Sequence, residues 1–141
     1  MHYWLFKSEP STFSFEMLKK KGQEGTQWDG VRNYAARNHM RAMKVGDRGF
    51  FYHSNDGLDI VGIVEIIAEA HQDSTTEDAR WDCVDIRAVR DMPAPPNLDA
   101  IKKNPKLADM ALVRLGRLSV QPVTRDEWIE VCRMGGLTPA P

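Results

Sequence analysis

The chain has 141 residues, of which 42% are hydrophobic and 28% are charged, and its formal net charge at pH 7 is -1. This size and balance are typical of one soluble globular domain, so we expect residues 1–141 to form a single domain. No apolar run approaches the roughly 20 residues that span a bilayer, which excludes a membrane-spanning helix. Lys7 and Glu9 fall where a secretory signal carries its apolar core, so we expect a cytoplasmic protein, or a nuclear one in a eukaryotic cell.

The cysteines and histidines show no metal-binding spacing along the chain. Cys83 and Cys132 are far apart and form no CxxC pair, the spacing of zinc knuckles and dithiol redox motifs. The four histidines, at positions 2, 39, 53 and 71, include no pair at the i, i+4 spacing that places two ligands on one helical face. We therefore expect two reduced cysteines, no bound metal and no other cofactor.

Residues 2–7 are rich in aromatics, a composition that favours a strand, and Pro10 ends the segment. The residues on both faces of this strand are apolar, which is typical of a strand that is covered on two sides. Ser14 is expected to cap a brief helix that ends in three lysines and Gly22. The lysines suit this position because cations stabilise the carboxyl end of a helix dipole.

Residues 33–43 are predicted to form a second helix with Asn33 as its N-cap. Its apolar stripe consists of Ala36, Met40 and Met43. A neighbouring stripe is basic, and we expect its members to face solvent and to bind phosphate; a solvated helix face without a ligand is the alternative. The members of this basic stripe are Arg37, Arg41 and Lys44.

The rest of the chain alternates strands with short helices. Residues 49–53 and 60–67 are predicted to form a hairpin around Asp56-Gly57, and the long β-branched strand is expected at the centre of the sheet. The remaining predictions are a loop at 71–80, a strand at 81–89, helices at 98–103 and 106–112, an edge strand at 117–123 and a closing helix capped by Thr124 and Glu127. This order lacks regular βαβ alternation and predicts an α+β domain with a curled, mixed sheet, a partial barrel flanked by short helices.

Common enzyme motifs are absent. The chain contains no GxxxxGK[ST], GxGxxG, GxSxG or HExxH pattern. Only His53 and Ser54 offer a base next to a nucleophile, and adjacent strand residues point to opposite faces. We therefore predict a protein that is not an enzyme, with an enzyme acting on a nucleotide or nucleobase as the alternative.

Residue types that suit nucleic-acid binding are concentrated in a few segments. Trp28 lies in a polar turn rather than in a hydrophobic period, so it is a candidate binding aromatic, and a place in the core is the alternative. Arginines and helix N-terminal amides suit a phosphate, while asparagine and serine suit base edges. The candidate base-pocket residues are Lys7, Ser8, Trp28, Gly30, Arg32, Asn33, His53, Ser54, Arg117 and Ser119.

Five motifs carry a family resemblance over nearly the whole chain. They are YWLFKSEP at 3–10, WDGVRNYAARNHMRAMKVGD at 28–47, FYHS at 51–54, GIVEI at 62–66 and RLSVQPV at 117–123. In this order they resemble the EVE domain family, which belongs to the PUA-like group together with the YTH and ASCH domains. The resemblance implies a PUA-like pseudo-barrel.

The same resemblance implies recognition of a modified base, methylated or carrying an oxidised methyl group, in DNA or RNA. By analogy with the aromatic cage of YTH domains, Trp28 is expected to form one pocket wall, and Trp81 is a candidate for a second. A monomer is expected. A protein-interaction module is the third hypothesis, and it predicts an exposed apolar patch instead of a pocket.

Overall fold

The computed structural model describes residues 1–141 and contains six strands and five α-helices. The strands are β1 (Tyr3–Ser8), β2 (Thr26–Gln27), β3 (Arg48–His53), β4 (Asp59–Gln72), β5 (Asp82–Asp91) and β6 (Val120–Val123). The helices are α1 (Phe15–Lys20), α2 (Tyr34–Ala42), α3 (Leu98–Lys103), α4 (Ala111–Arg114) and α5 (Arg125–Met134). None of these helices has the length and apolar content that crossing a bilayer demands.

All six strands belong to one sheet in the order β2-β5-β4-β3-β1-β6. Strand β1 runs parallel to β3 and the other neighbouring pairs are antiparallel, so the sheet is mixed. Helix α2 packs against both β5 and β6, which are four places apart in this order, so the sheet curls around that helix. The edge strands β2 and β6 do not pair, and the barrel stays open. The predicted α+β domain with a curled, mixed sheet is confirmed.

The positions of two strands follow their sequences. Strand β4 has neighbours on both sides, which confirms its predicted place within the sheet. Strand β6 lies at an edge, as Pro122 predicts, because proline has no N–H to donate to an outer neighbour. Register shifts interrupt the pairing of β4 with both β3 and β5, and such bulges bend the strands that contain them.

Apolar side chains cover both faces of the sheet. On one face Leu5 lies in a cluster with Trp128 of α5. On the other face Trp4 and Phe6 lie in a second cluster with Met40 of α2. The two-sided burial predicted for the first strand is therefore confirmed, and the alternation within β1 joins the two halves of the core.

Side-chain caps define where α1, α2 and α5 begin. Ser14 and Asn33 each accept a hydrogen bond from a backbone N–H three residues ahead, at 3.1 Å and 2.9 Å. Thr124 and Glu127 form the predicted capping box at the start of α5. These local signals were sufficient to place the helices because a cap satisfies orphan N–H groups without help from tertiary contacts.

Several predicted boundaries are wrong. Strand β4 continues to Gln72 and β5 begins at Asp82, since these two residues still pair with each other. The strand predicted at 117–123 begins only at Val120. The helix predicted at 106–112 is instead a 3-10 turn, Pro105–Leu107, followed by α4, because the cap at Asn104 serves a single short turn.

Candidate functional site

A cleft of about 600 Å³ opens where the carboxyl end of β1 meets the connection from β2 to α2. Residues 7–9, 12–13 and 26–32 supply most of its lining. Six of the ten candidate base-pocket residues meet there, namely Lys7, Ser8, Trp28, Gly30, Arg32 and Ser119. Polar groups from separate segments converge on an aromatic wall, a combination that can orient a planar ligand.

Trp28 belongs both to the core and to the cleft. Its backbone N–H donates to the carbonyl of Val84 at 2.8 Å, which prolongs the pairing of β2 with β5 and fixes the position of the indole. The side chain is 9% exposed and meets the rings of Phe6, Phe13 and Phe51 at interplanar angles of 74°, 68° and 80°. Since Trp28 also lines the cleft, one wall of the cleft is a tightly packed indole.

Phe13 is the second aromatic of the cleft, with its ring centroid 6.1 Å from that of Trp28. Trp81 does not take this role, because it stacks on Tyr34 at 5.0 Å and does not line the cleft. The sequence offered a weak signal for Phe13, which follows the KSEP motif closely and lies in a turn rather than in a hydrophobic period.

Asp73 holds the rim of the cleft, although the sequence did not single it out. Its buried carboxylate accepts hydrogen bonds from the N–H of Gly30 at 2.8 Å and from the guanidinium of Arg32 at 3.0 Å. Thr75 donates two more, from its N–H at 2.8 Å and its hydroxyl at 2.5 Å. Burial acts to raise the pKa of Asp73, but these hydrogen bonds hold that pKa well below its ordinary value. The charged carboxylate therefore fixes Gly30, whose φ of 79° suits glycine, and Arg32 beside the aromatic wall.

Lys7 and two serines form one corner of the cleft. The ammonium of Lys7 donates to the carbonyl of Gly116 at 2.6 Å, and partial burial lowers the pKa of Lys7. The hydroxyl of Ser8 donates to the carbonyl of Phe13 at 2.5 Å, which leaves its oxygen as an acceptor. Ser119 lies beside them because its carbonyl accepts the N–H of Lys7 at 2.9 Å.

Two carboxylates, Glu9 and Asp29, complete the polar lining, and neither is among the ten candidate base-pocket residues. Glu9 accepts a hydrogen bond from the amide of Asn55 at 2.7 Å. Burial, followed by the charge of Asp73, raises the pKa of Asp29. Their only sequence signal was adjacency to Ser8 and Trp28. The cleft thus combines carboxylate acceptors with cationic donors.

The other four candidate base-pocket residues lie outside the cleft. Asn33 uses its side-chain oxygen to cap α2, and it lines a separate depression of about 370 Å³ with Arg117. His53 Nε2 accepts the first N–H of α1 at 3.2 Å, and burial lowers the pKa of His53. The backbone N–H of Ser54 donates to the carbonyl of Ser8 at 2.9 Å. The contacts of Asn33, His53 and Ser54 hold local structure, and proximity in sequence to pocket motifs does not place these residues in the pocket.

The basic stripe of α2 is partly neutralised by carboxylates. Arg41 pairs with Asp82 at 2.7 Å, and the ammonium of Lys44 lies 4.0 Å from Glu69. Arg37 donates to a backbone carbonyl at 3.0 Å and forms no salt bridge. Arg37 is therefore the one member of the stripe whose charge no carboxylate offsets.

The fold indicates the structural class of this protein. It is similar to that of an ASCH protein from Zymomonas mobilis, with a TM-score of 0.60, 8% sequence identity, and coverage of 94% of this chain and 97% of that chain. Identity at this level shows the fold alone, which is PUA-like. The EVE domain model matches residues 2–134, and the chain belongs to the EVE domain family.

Matches at higher identity extend over most of the chain. Thymocyte nuclear protein 1 of Mus musculus is 38% identical over 159 residues, which cover 90% of this chain and 70% of that protein. A protein of Agrobacterium tumefaciens has a crystal structure that matches with a TM-score of 0.97 and 64% identity, covering 99% of this chain and 97% of that chain. The human THYN1 protein, solved in complex with 5-methylcytosine containing DNA, matches with a TM-score of 0.89 and 35% identity. The match covers 99% of this chain and 100% of that chain. The family resemblance drawn from the five motifs is confirmed.

Proposed function

We propose that this chain is a non-catalytic nucleic-acid-binding domain that takes one modified base, methylated or carrying an oxidised methyl group, out of DNA or RNA into the cleft. The observation that carries the proposal is the cleft itself, in which Trp28 and Phe13 offer ring surfaces beside converging hydrogen-bonding groups. The human relative solved with 5-methylcytosine containing DNA supports 5-methylcytosine as the first base to test.

The polar lining of the cleft matches the edge of cytosine. The exocyclic amine of cytosine donates hydrogen bonds, and a carboxylate such as Asp29 or Glu9 is the acceptor that suits it. The ring nitrogen and the carbonyl on the same edge accept hydrogen bonds, and Lys7 and Arg32 are donors in the same lining. The methyl group of a modified cytosine adds apolar surface that the aromatic wall can cover.

The energetics of extrusion assign a second role to the basic residues. Stacking a base on an aromatic ring contributes roughly 1–3 kcal/mol, while drawing a base out of a duplex costs about a few kcal/mol. The wall therefore offsets extrusion only in part, and phosphate contacts supply the remainder. Arg37 is the best placed for this role because no carboxylate neutralises it, whereas Arg41 and Lys44 must first loosen their ion pairs.

The non-catalytic part of the proposal is supported by the contacts of His53. Its Nε2 accepts the first N–H of α1, so this nitrogen is occupied rather than poised to take a proton from a nucleophile. The neighbouring Ser54 makes no side-chain hydrogen bond with it, so the one base–nucleophile pair that the sequence offered is not assembled.

The test is a fluorescence-anisotropy titration of matched oligonucleotides, DNA and RNA, with and without 5-methylcytosine. We expect wild type to prefer the modified oligonucleotide and Trp28→Ala to lose roughly 5- to 150-fold in affinity for it, the equivalent of about 1–3 kcal/mol.

Trp128→Ala is the control, because Trp128 is also buried but lies in the core cluster on the other face of the sheet and outside the cleft. Circular dichroism at the assay temperature establishes that both variants are folded. The proposal fails if wild type binds modified and unmodified oligonucleotides equally, or if folded Trp28→Ala binds as wild type does.

A further inference from the structure

Four polar side chains from three neighbouring strands meet on one face of the sheet, and the proposed base reader does not use them as a group. His71 of β4 is the cross-strand partner of Cys83 of β5. Asp85 follows Cys83 by two residues, so the two side chains share a face of β5. Gln27 of β2 is the cross-strand partner of Asp85. The register of the sheet, and not a flexible loop, brings these groups together.

The donor atoms of this cluster lie within a few ångströms of one another. His71 Nε2 is 2.7 Å from Asp85 Oδ1 and 4.0 Å from Cys83 Sγ. Cys83 Sγ is 3.5 Å from the side-chain oxygen of Gln27. The imidazole, thiol and carboxylate atoms all lie within 4.8 Å of one another. A zinc ion shared by the three groups would lie about 2.0–2.3 Å from each donor atom.

Both ring nitrogens of His71 face acceptors. Nδ1 lies 3.1 Å from the carbonyl of Gln72, which can only accept, so Nδ1 carries a proton in that hydrogen bond. Nε2 faces the carboxylate oxygen of Asp85, which also accepts. The Nε2 lone pair and the carboxylate of Asp85 are both ligands that zinc takes, so the two atoms can share one ion once they separate to the spacing that the ion sets. An Nδ1–H bonded to a backbone carbonyl is also the usual support of a histidine that ligates metal through Nε2.

We propose that His71, Cys83 and Asp85 form a binding site for a divalent zinc ion. Imidazole, thiolate and carboxylate are the three ligand types that zinc takes in proteins. On binding, the ion replaces any proton on Nε2 and the proton of the thiol, and both protons pass to solvent. Gln27 or a water molecule takes the fourth position of the tetrahedron.

The electrostatic surroundings favour a cation at this place. The carboxylate of Asp85 belongs to the cluster and places negative charge within a few ångströms of Cys83 Sγ. A dication neutralises this surplus of negative charge and stabilises the thiolate. Gln27 also lines the cleft, and its amide nitrogen donates to Ser74 at 2.9 Å, which turns its oxygen toward Cys83. An ion at this site braces β2 directly beneath the base-binding wall.

The test is a titration of the full chain with Co²⁺ as a spectroscopic probe, followed by displacement with Zn²⁺. We expect tetrahedral cobalt bands and a thiolate-to-cobalt charge-transfer band that zinc removes. The unfolding temperature of the wild-type chain is expected to rise by roughly 5–10 °C when the zinc concentration is a hundredfold above Kd.

Two variants and one control complete the design. Cys83→Ser removes the charge-transfer band, and His71→Gln, a change at a partly exposed position, lowers the affinity for cobalt at least roughly tenfold. Cys132→Ser is the matched control, since Cys132 is equally buried but has no clustered ligands. The proposal is overturned if wild type shows no charge-transfer band, if folded Cys83→Ser retains it, or if zinc leaves the wild-type unfolding temperature unchanged.

Discussion

Replacing Asp73 by asparagine tests whether this buried carboxylate holds the rim of the cleft. The substitution keeps the size of the side chain but replaces one acceptor oxygen by an N–H donor. The N–H of Gly30 and the guanidinium of Arg32 donate to one carboxylate oxygen, and the N–H and hydroxyl of Thr75 donate to the other. The amide of asparagine has only one oxygen, so it cannot accept from all four donors. One or more donors are thereby left without an acceptor.

The expected loss follows from the burial of the two partners. Breaking a fully buried ion pair costs about 3–5 kcal/mol. The side chain of Asp73 is 1% exposed and that of Arg32 is 38% exposed, so water screens one partner. We therefore expect the free energy of unfolding to fall by about 2–3 kcal/mol at pH 7. Urea unfolding followed by tryptophan fluorescence measures this difference.

Asp99→Asn is the matched control, because Asp99 forms an exposed pair with Lys103 at 2.9 Å. Its loss is expected to cost less than about 0.5 kcal/mol. An Asp73→Asn protein that unfolds at the same urea concentration as wild type refutes the assignment of Asp73 to the rim.

The pH dependence of the Asp73→Asn difference supplies a second test. The pKa of Asp73 is depressed in the folded state, so its contribution is fully present above the pKa of an unfolded aspartate, about 4. The contribution is lost as pH falls through the lower pKa of the folded state. We therefore expect the difference between wild type and variant to stay constant from pH 7 to about pH 5 and to shrink below about pH 4. A gap that persists at lower pH contradicts this reasoning.

Two further predictions concern packing and charge. Gly62→Ala places a methyl group 2.2 Å from the ring of Phe15. This overpacking is expected to lower the free energy of unfolding by about 1–3 kcal/mol. A chemical denaturation midpoint equal to that of wild type contradicts this expectation. Arg37→Ala is expected to weaken binding of modified and unmodified oligonucleotides alike and to reduce the slope of log K against log salt by about one. Arg41→Ala changes the slope less, because Asp82 already pairs with Arg41 at 2.7 Å; equal slopes for the two variants argue against the proposed ranking.

Local sequence determined the elements of this protein. Ser14, Asn33 and Thr124 predicted helix starts that the structure contains, since a side-chain cap acts within three residues of itself. The apolar residues on both faces of β1 predicted a strand that is covered on two sides, and Pro122 predicted that β6 lies at an edge of the sheet. The five motifs determined the family over the whole chain.

Only the tertiary structure decided which side chains share a site. Asn33 and His53 have the right chemistry for a base pocket, but Asn33 Oδ1 caps α2 and His53 Nε2 accepts the first N–H of α1. Phe13 replaced Trp81 as the second aromatic because the turn after β1 folds over Trp28, a contact that no local pattern encodes.

The cluster around His71 shows the same limit for metal ligands. Ligands on one helix or in one loop have a characteristic spacing along the chain, and the cysteines and histidines of this chain show no such spacing. Ligands on adjacent strands are joined instead by register, which depends on the pairing of distant segments and on the bulges between β4 and β5. Cross-strand pairing therefore placed His71 opposite Cys83, although twelve positions separate them in the chain.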